Sequence, residues 1–180
     1  MAALMADCPQ LPPAAAAIGS GLPVAQLSGS ILLHIGGGIS EIAVISLGRI
    51  VMSKSIREGG EVYDQALSRF IKQKYSFKVS RQMSKKIKEQ FFHLTDEHSA
   101  PFPLKGKDIK LNLPKELMIS SSELRPALEV PLRELTRLVQ DLLEEIPAEL
   151  AGDTIDKGII LSGGSAMLSG IDTYLAQVLG

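Results

Sequence analysis

Three glycine-bearing turns hold the residue types that could handle a phosphate-bearing ligand. In Ile35-Gly36-Gly37-Gly38-Ile39-Ser40-Glu41 a glycine run separates two β-rich stretches. The backbone N–H groups of such a turn have no ladder partners and no side chains in front of them, and concavities of this kind bind phosphate. Gly36, Gly37, Gly38, Ile39 and Ser40 are the candidate phosphate-binding residues. An ordinary flexible hairpin is the alternative, since glycine is common in turns of every kind. The run is not a Walker loop, which needs Gly-Lys-Ser/Thr. Nor is it a dinucleotide fingerprint, because a strand rather than a helix follows.

The second turn, Leu161-Ser162-Gly163-Gly164-Ser165, lies between a strand pattern and a helix pattern. Glycine lets a ligand approach the backbone there, and the helix offers its positive N-terminal end. A plain strand-to-helix turn is the alternative. The third is Gly59-Gly60-Glu61, with Asp64 one turn further on. A carboxylate there is favourable with the helix dipole, and it could also accept hydrogen bonds from a ribose.

The elements that must position these turns follow from hydrophobic period. ILLHI (31–35), SEIAVISL (40–47) and RIVMSKSI (49–56) read as three strands. Their turns, the second at Gly48-Arg49, are too short for a parallel return, so the strands are antiparallel neighbours. Apolar residues on both sides of the second strand predict that both its faces are covered. Helices are expected over 61–75 and 80–94, then two short strands within 104–119 around Asn112-Leu113-Pro114. Ser120 and Glu123 have capping-box spacing. A long apolar stripe runs from there through Leu124, Leu128, Leu132, Leu135, Val139, Leu142 and Ile146, with a kink expected at Pro131 and an end at Pro147. A strand over 157–161 and a helix over 166–179 complete an α/β layout with a mixed sheet.

Composition removes several classes of function. The chain has 180 residues, 45% of them apolar, and a formal net charge of −1. That is enough apolar material for a core, and no global field draws it to nucleic acid or an anionic surface. The basic face Arg81, Lys85, Lys86 and Lys88 has no aromatic platform beside it. The single cysteine, Cys8, excludes an internal disulfide. His93 and His98 have no ligand-spaced cysteine near them, so no metal ligands are assigned. The opening MAALMADCPQLPPAAAA lacks a basic region and is broken by Asp7 and prolines, which argues against a signal peptide.

Together the motifs resemble the second half of the MreB/Mbl family of bacterial actins. They are PAAAAIGSGLPV (13–24), IGGGISEIAVISLG (35–48), SIREGGE (55–61), LNLPKEL (111–117) and GIILSGGSAML (158–168), in the family's order. Sugar kinases and heat-shock chaperones share the superfold but lack the continuation after the triple glycine. The resemblance implies an actin-like ATPase (ribonuclease H-like) domain with a mixed sheet, incomplete, carrying a small α+β insertion. Residues 1–12 would be a divergent terminus, 13–75 and 121–180 the ATPase second domain, and 76–120 the inserted subdomain.

The resemblance also implies roles. ATP with Mg²⁺ is the expected cofactor, and Gly36, Gly37 and Gly38 match the phosphate hairpin. Gly60, Glu61, Lys85, Lys88, Gly163, Gly164, Ser165 and Ala166 match ribose and adenosine positions. Expected partners are further copies or a full-length relative in filaments, and the cell-wall elongation machinery. Nucleic acid is not expected, and nothing supports direct membrane contact. The expected place is the cytoplasm, at the inner face of the membrane through partners.

Departures bear on mechanism. His34 stands where the family has an Asp serving Mg²⁺, and Pro12 where it has a Glu orienting water. Ile39 replaces a Thr, Glu61 an Asp and Lys85 a Glu. The first phosphate loop belongs to the family's other half. The chain is therefore expected to hydrolyse ATP weakly or not at all by itself, with no catalytic residue assigned. A non-catalytic interaction partner, or a remnant without independent function, is the alternative.

Overall fold

The computed structural model describes residue 19, residues 29–94 and residues 100–180, the stretch 153–156 by its backbone alone. Cys8, Pro12, His98 and the readings made for 1–18 and 20–28 lie outside these residues. Two compact units emerge, Met1–Gly59 with Leu135–Ala166, and Gly60–Glu134 with Met167–Gly180.

The first unit is built on β1 (Ser30–Ile35), β2 (Ser40–Ser46), β3 (Arg49–Ile56) and β7 (Ile159–Ser162). They form a four-stranded sheet in the order β3-β2-β1-β7. β1 is antiparallel to β2 and parallel to β7, so the sheet is mixed. Every residue of β2 is buried, as its two-sided apolarity predicts. The β2–β3 turn is Leu47-Gly48, both at positive φ (51° and 71°), and Arg49 already belongs to β3. Lys54 on β3 donates to the Asp141 carbonyl at 2.6 Å and pairs with Glu145 at 2.7 Å, which ties the end of α4 (Glu129–Leu143) to the sheet edge.

The second unit holds α1 (Gly60–Tyr75), β4 (Phe77–Lys78), α2 (Arg81–Lys86), β5 (Phe102–Asp108), β6 (Pro114–Ile119), α3 (Ser121–Leu124), the start of α4, and α6 (Ile171–Leu179). Its sheet is antiparallel in the order β4-β5-β6. Phe102 and Leu104 alternate inward along β5 while Pro103 and Lys105 face out. The β5–β6 loop is built on Asp108, whose Oδ1 accepts from the N–H groups of Lys110 (2.9 Å) and Leu111 (3.1 Å).

Several boundaries differ from expectation, each for a local reason. The helix expected over 80–94 is α-helical only to Lys86, capped by Ser80, and continues as a π turn over Ile87–Phe91. The Phe92 N–H reaches back to the Ile87 carbonyl at 2.8 Å. Phe92 is then buried, and Phe91 stacks on Phe102 with ring centres 4.6 Å apart. The long stripe is buried as expected except at Ile146, but it is not one helix bent at Pro131. It breaks into a 3-10 turn at Arg125–Ala127, because Pro126 has no N–H to give the preceding turn. Pro131 sits in the first turn of α4, where the N–H would have no intrahelical acceptor, so it bends nothing.

Pro147 does more than end a helix. Its carbonyl accepts from Leu150 and Ala151 and starts α5 (Ala148–Lys157), an unexpected element closed by Gly158 at φ 66°. The last helix is also shorter than 166–179. A 3-10 turn covers Gly164–Met167, and α6 begins only after Gly170 at φ 81°.

Candidate functional site

In the first unit the glycine run is a tight turn closed by the Gly36 N–H on the Ile39 carbonyl at 2.9 Å. Gly37 and Gly38 are exposed, and nothing lies within 4 Å of where a Cβ would stand on either. Neither has a positive φ, so their glycine identity answers no demand of the local backbone. Gly59 is the opposite case. A Cβ there would lie 2.6 Å from the Gly36 carbonyl oxygen and 2.7 Å from that of Gly37. Ser40 is wholly buried, and its hydroxyl donates to the Glu58 carbonyl at 2.6 Å. Its hydroxyl thus anchors the chain leaving β3 to the base of the hairpin, while Ile39 is only half-buried beside it.

The turn after β7 docks on the same hairpin. Ser165 is buried, and its hydroxyl donates to the Gly36 carbonyl at 2.9 Å. Gly163 has φ 93°, and a Cβ on it would strike the Ile35 carbonyl and crowd the His34 ring. The Ala166 N–H closes the turn on the Gly163 carbonyl at 3.1 Å, and Gly164 has open space about it. Two of the three sequence-predicted turns are thereby brought together. Gly59, the first residue of the third turn, packs against the same hairpin.

In the second unit, Gly60 opens α1, and its carbonyl accepts from Lys88 at 2.8 Å. Lys88 Nζ also lies 2.9 Å from Asp64 Oδ1, and both side chains are almost fully enclosed. The directed hydrogen bond goes to Gly60, since Asp64 Oδ1 receives none of good geometry; the contact with Asp64 is a close ion pair. Lys88 and Asp64 therefore hold the start of α1 and spend their charges on each other. Glu61 pairs with Arg81 at 2.9 Å and Lys85 with Glu89 at 3.7 Å, both on the surface. Lys86 lies over the Phe91 ring. Each member of the basic face thus has an internal partner. His93 bridges to Ser169 and receives the Ser121 hydroxyl on its carbonyl.

His34 completes the picture in the first unit. It faces Glu41 across β1–β2 and Ser162 across β1–β7, and its Nδ1 lies 3.4 Å from Ser162 Oγ. Among the described residues no three His, Cys, Asp or Glu side chains converge.

The family model for MreB/Mbl protein matches residues 11–180. The chain belongs to the MreB/Mbl family. Mbl of Bacillus subtilis strain 168, a cell shape-determining protein, is 35% identical over 168 residues, 93% of this chain and 50% of that protein. The cell shape-determining protein MreB of Escherichia coli K12 is 34% identical over 169 residues, again 93% of this chain and 49% of that one. The crystal structure of MreB5 of Spiroplasma citri bound to AMPPNP superposes with a TM-score of 0.88 at 35% identity, covering 92% of this chain and 50% of that one. The fold of this MreB/Mbl chain is therefore actin-like, and the chain spans about half the length of the curated relatives it matches. No helix among its described residues is long and apolar enough to cross a membrane.

The fit of Mg²⁺ can be judged from the donors. Mg²⁺ takes hard oxygen ligands and keeps much of its water. At β1 the chain offers an imidazole, whose register partner on β2 is Glu41. That set lacks the acidic oxygen at residue 34 on which Mg²⁺ would depend.

Proposed function

We propose that this chain is an ATP-binding, filament-forming member of the actin-like cytoskeleton that determines cell shape, and that it hydrolyses ATP weakly or not at all by itself. The observation that carries the nucleotide reading is the open glycine hairpin, with nothing within 4 Å of where a Cβ would stand on Gly37 or Gly38 and the turn after β7 docked on its base through Ser165. Gly37 and Gly38 take the phosphates on backbone N–H groups, and Gly36 shapes the phosphate hairpin by closing its turn on the Ile39 carbonyl. Ile39 and Ser40 shape the hairpin, and Ser40 acts through the Glu58 carbonyl rather than on the ligand. Gly163, Gly164, Ser165 and Ala166 line the adenosine side. Gly60, Glu61 and Lys85 belong to the ribose side, with Lys88 positioning Gly60.

Weak hydrolysis follows from His34. Phosphoryl transfer rests on preorganised charge and on a correctly held divalent ion, and an imidazole replaces the oxygen donor expected there. Domain limits of 13–75 with 121–180, and 76–120, describe the proposed nucleotide domain and its insertion. Further copies of the chain or a full-length relative are the proposed filament partners. The cell-wall elongation machinery is the proposed cellular partner, on the cytoplasmic side of the membrane.

Calorimetric titration of ATP, with and without a divalent cation, tests the reading. Saturable binding lost in Gly37→Asp is the expected result. The substitution has room and leaves the fold intact, so a folded variant that binds as well as the parent overturns the proposal.

A further inference from the structure

The β5–β6 hairpin ends in a loop that turns its apolar side chains to solvent. Ile109, Leu111 and Leu113 are 43%, 63% and 59% exposed, and every residue from Ile109 to Glu116 is exposed. The turn itself does not depend on these side chains. The Asp108 N–H donates to the Leu113 carbonyl at 3.0 Å, and the Ile109 N–H to the Ser76 carbonyl at 2.9 Å. Asp108 Oδ1 accepts from the N–H groups of Lys110 and Leu111, and Asn112 takes the positive φ of 58°. Three large apolar side chains within five positions, on a loop fixed by other groups, form a patch of the kind that meets a partner.

Lysines surround this tip. Lys78 on β4 is the register partner of Lys107 on β5. Register partners share a face with their Cβ atoms about 5 Å apart, and like charges so placed repel. An anion that meets both turns that repulsion into attraction. Neither of these lysines, nor Lys110 in the loop, has an ion-pair partner among the described residues, whereas Lys115 pairs with Asp108 at 3.3 Å and Lys105 lies 3.9 Å from Glu116. Asp108 and Glu116 are the only acids on β4 and the hairpin, so the five lysines there keep a surplus of three positive charges. The formal net charge of −1 for the whole chain conceals this local excess.

We propose that the β5–β6 loop docks on an anionic phospholipid surface, with Ile109, Leu111 and Leu113 entering the interface and Lys78, Lys107 and Lys110 meeting headgroup phosphates. Two observations favour a bilayer over a protein partner. Eight successive exposed residues make a convex tip with no groove wall for a peptide, and a fluid apolar phase moulds to such a shape. The tip also joins apolar side chains to unpaired lysines, and interfacial binding draws on both, through buried apolar area and attraction to anionic lipid. So small a contact gives reversible attachment. This inference stands apart from the nucleotide reading and goes beyond the sequence-based expectation, in which nothing supported direct membrane contact.

The test uses the whole chain without nucleotide, and vesicles of phosphatidylcholine with or without phosphatidylglycerol. The chain contains no tryptophan, so Leu111→Trp places a single apolar reporter in the loop. Anionic vesicles should shift its emission to the blue and open it to quenching by lipids brominated on their acyl chains. Neutral vesicles should bind at least about tenfold more weakly, and added salt should weaken the anionic binding. Co-sedimentation of the parent chain with anionic vesicles should fall about tenfold or more in Leu111→Ser with Leu113→Ser, and likewise in Lys107→Gln with Lys110→Gln. All four residues are exposed, and circular dichroism checks that each variant is folded. Absence of binding to anionic vesicles overturns the proposal, as does binding without a blue shift or acyl-chain quenching. So do equal affinity for neutral vesicles and unchanged binding in the folded double serine variant. A double serine variant that binds vesicles as the parent does but no longer self-associates assigns the tip to a second copy and overturns it too.

Discussion

Lys88 Nζ lies 2.9 Å from Asp64 Oδ1 and donates to the Gly60 carbonyl at 2.8 Å, so one buried cation joins the π turn after α2 to the first turn of α1. Removing one member of such a pair strands the other charge. Lys88→Met is expected to cost about 3–5 kcal/mol, while Lys88→Met with Asp64→Leu recovers most of that loss. Urea unfolding of the two variants followed by circular dichroism checks the relationship. A double variant no more stable than Lys88→Met would show that the pair is not the reason Lys88 matters.

Glycine is required at Gly59 and dispensable at Gly37. Gly59→Ala drives a methyl into two carbonyls of the hairpin and is expected to destabilise by about 1–3 kcal/mol. Gly37→Ala meets open space and is expected to leave stability within about 0.5 kcal/mol of the parent. Thermal unfolding of both variants separates them. The reverse order would contradict the hairpin packing described above.

The Tyr75 hydroxyl donates to Glu123 Oε2 at 2.6 Å. That bond, the Ser120 donors and the nearby Lys74 hold the Glu123 carboxyl below the usual range, while burial and Glu123 push the Tyr75 hydroxyl up. A depressed carboxyl stabilises the fold fully above its unfolded value near ~4.3, and the contribution is lost as pH falls through the folded value. The raised Tyr75 hydroxyl contributes fully below its unfolded value near ~10 and loses that contribution only as pH rises further. The stability difference between the parent and Tyr75→Phe should therefore be largest around neutral pH and shrink toward pH values below ~4. Urea titrations at a series of pH values measure it, and a difference that stays constant with pH would contradict the assignment.

The β2–β3 turn carries a cost that can be removed. Leu47 is 57% exposed and held at φ 51°, ahead of Gly48 at φ 71°. Positive φ at both central residues is the geometry that Asn-Gly adopts most readily in hairpins. Leu47→Asn is expected to stabilise by about 0.5–1 kcal/mol. A lower unfolding midpoint would mean that the leucine makes a contact worth more than the strain.

Much of the first unit was legible because its signals are local. The strand runs of β1, β2 and β3 and the short turns between them leave one arrangement open, an antiparallel meander. The family motifs then indicate which turns face a ligand. The Ser120–Glu123 box was equally readable, because capping depends on a spacing of three residues, and the Ser120 N–H does reach Glu123 Oε1 at 3.1 Å. Pro126 and Pro131 were harder. A proline's effect depends on whether its missing N–H falls inside a helix or in the first turn, and α4 begins at Glu129, which puts Pro131 in that first turn. α5 was missed because Pro147 reads as a terminator, although Pro147 before it and Gly158 after it bracket a helix.

By itself the sequence determined the family, the glycine turns and the residue types that could meet phosphate, because these depend on chemistry held within a few consecutive positions. Only the tertiary structure decided which of those residues remain available. Lys88 and Asp64 are consumed by each other, and Ser40 by the Glu58 carbonyl. His34 and Glu41, seven positions apart along the chain, become immediate neighbours through β1–β2 register. Pairing across strands and burial are long-range outcomes of packing, and no local pattern of residues encodes them.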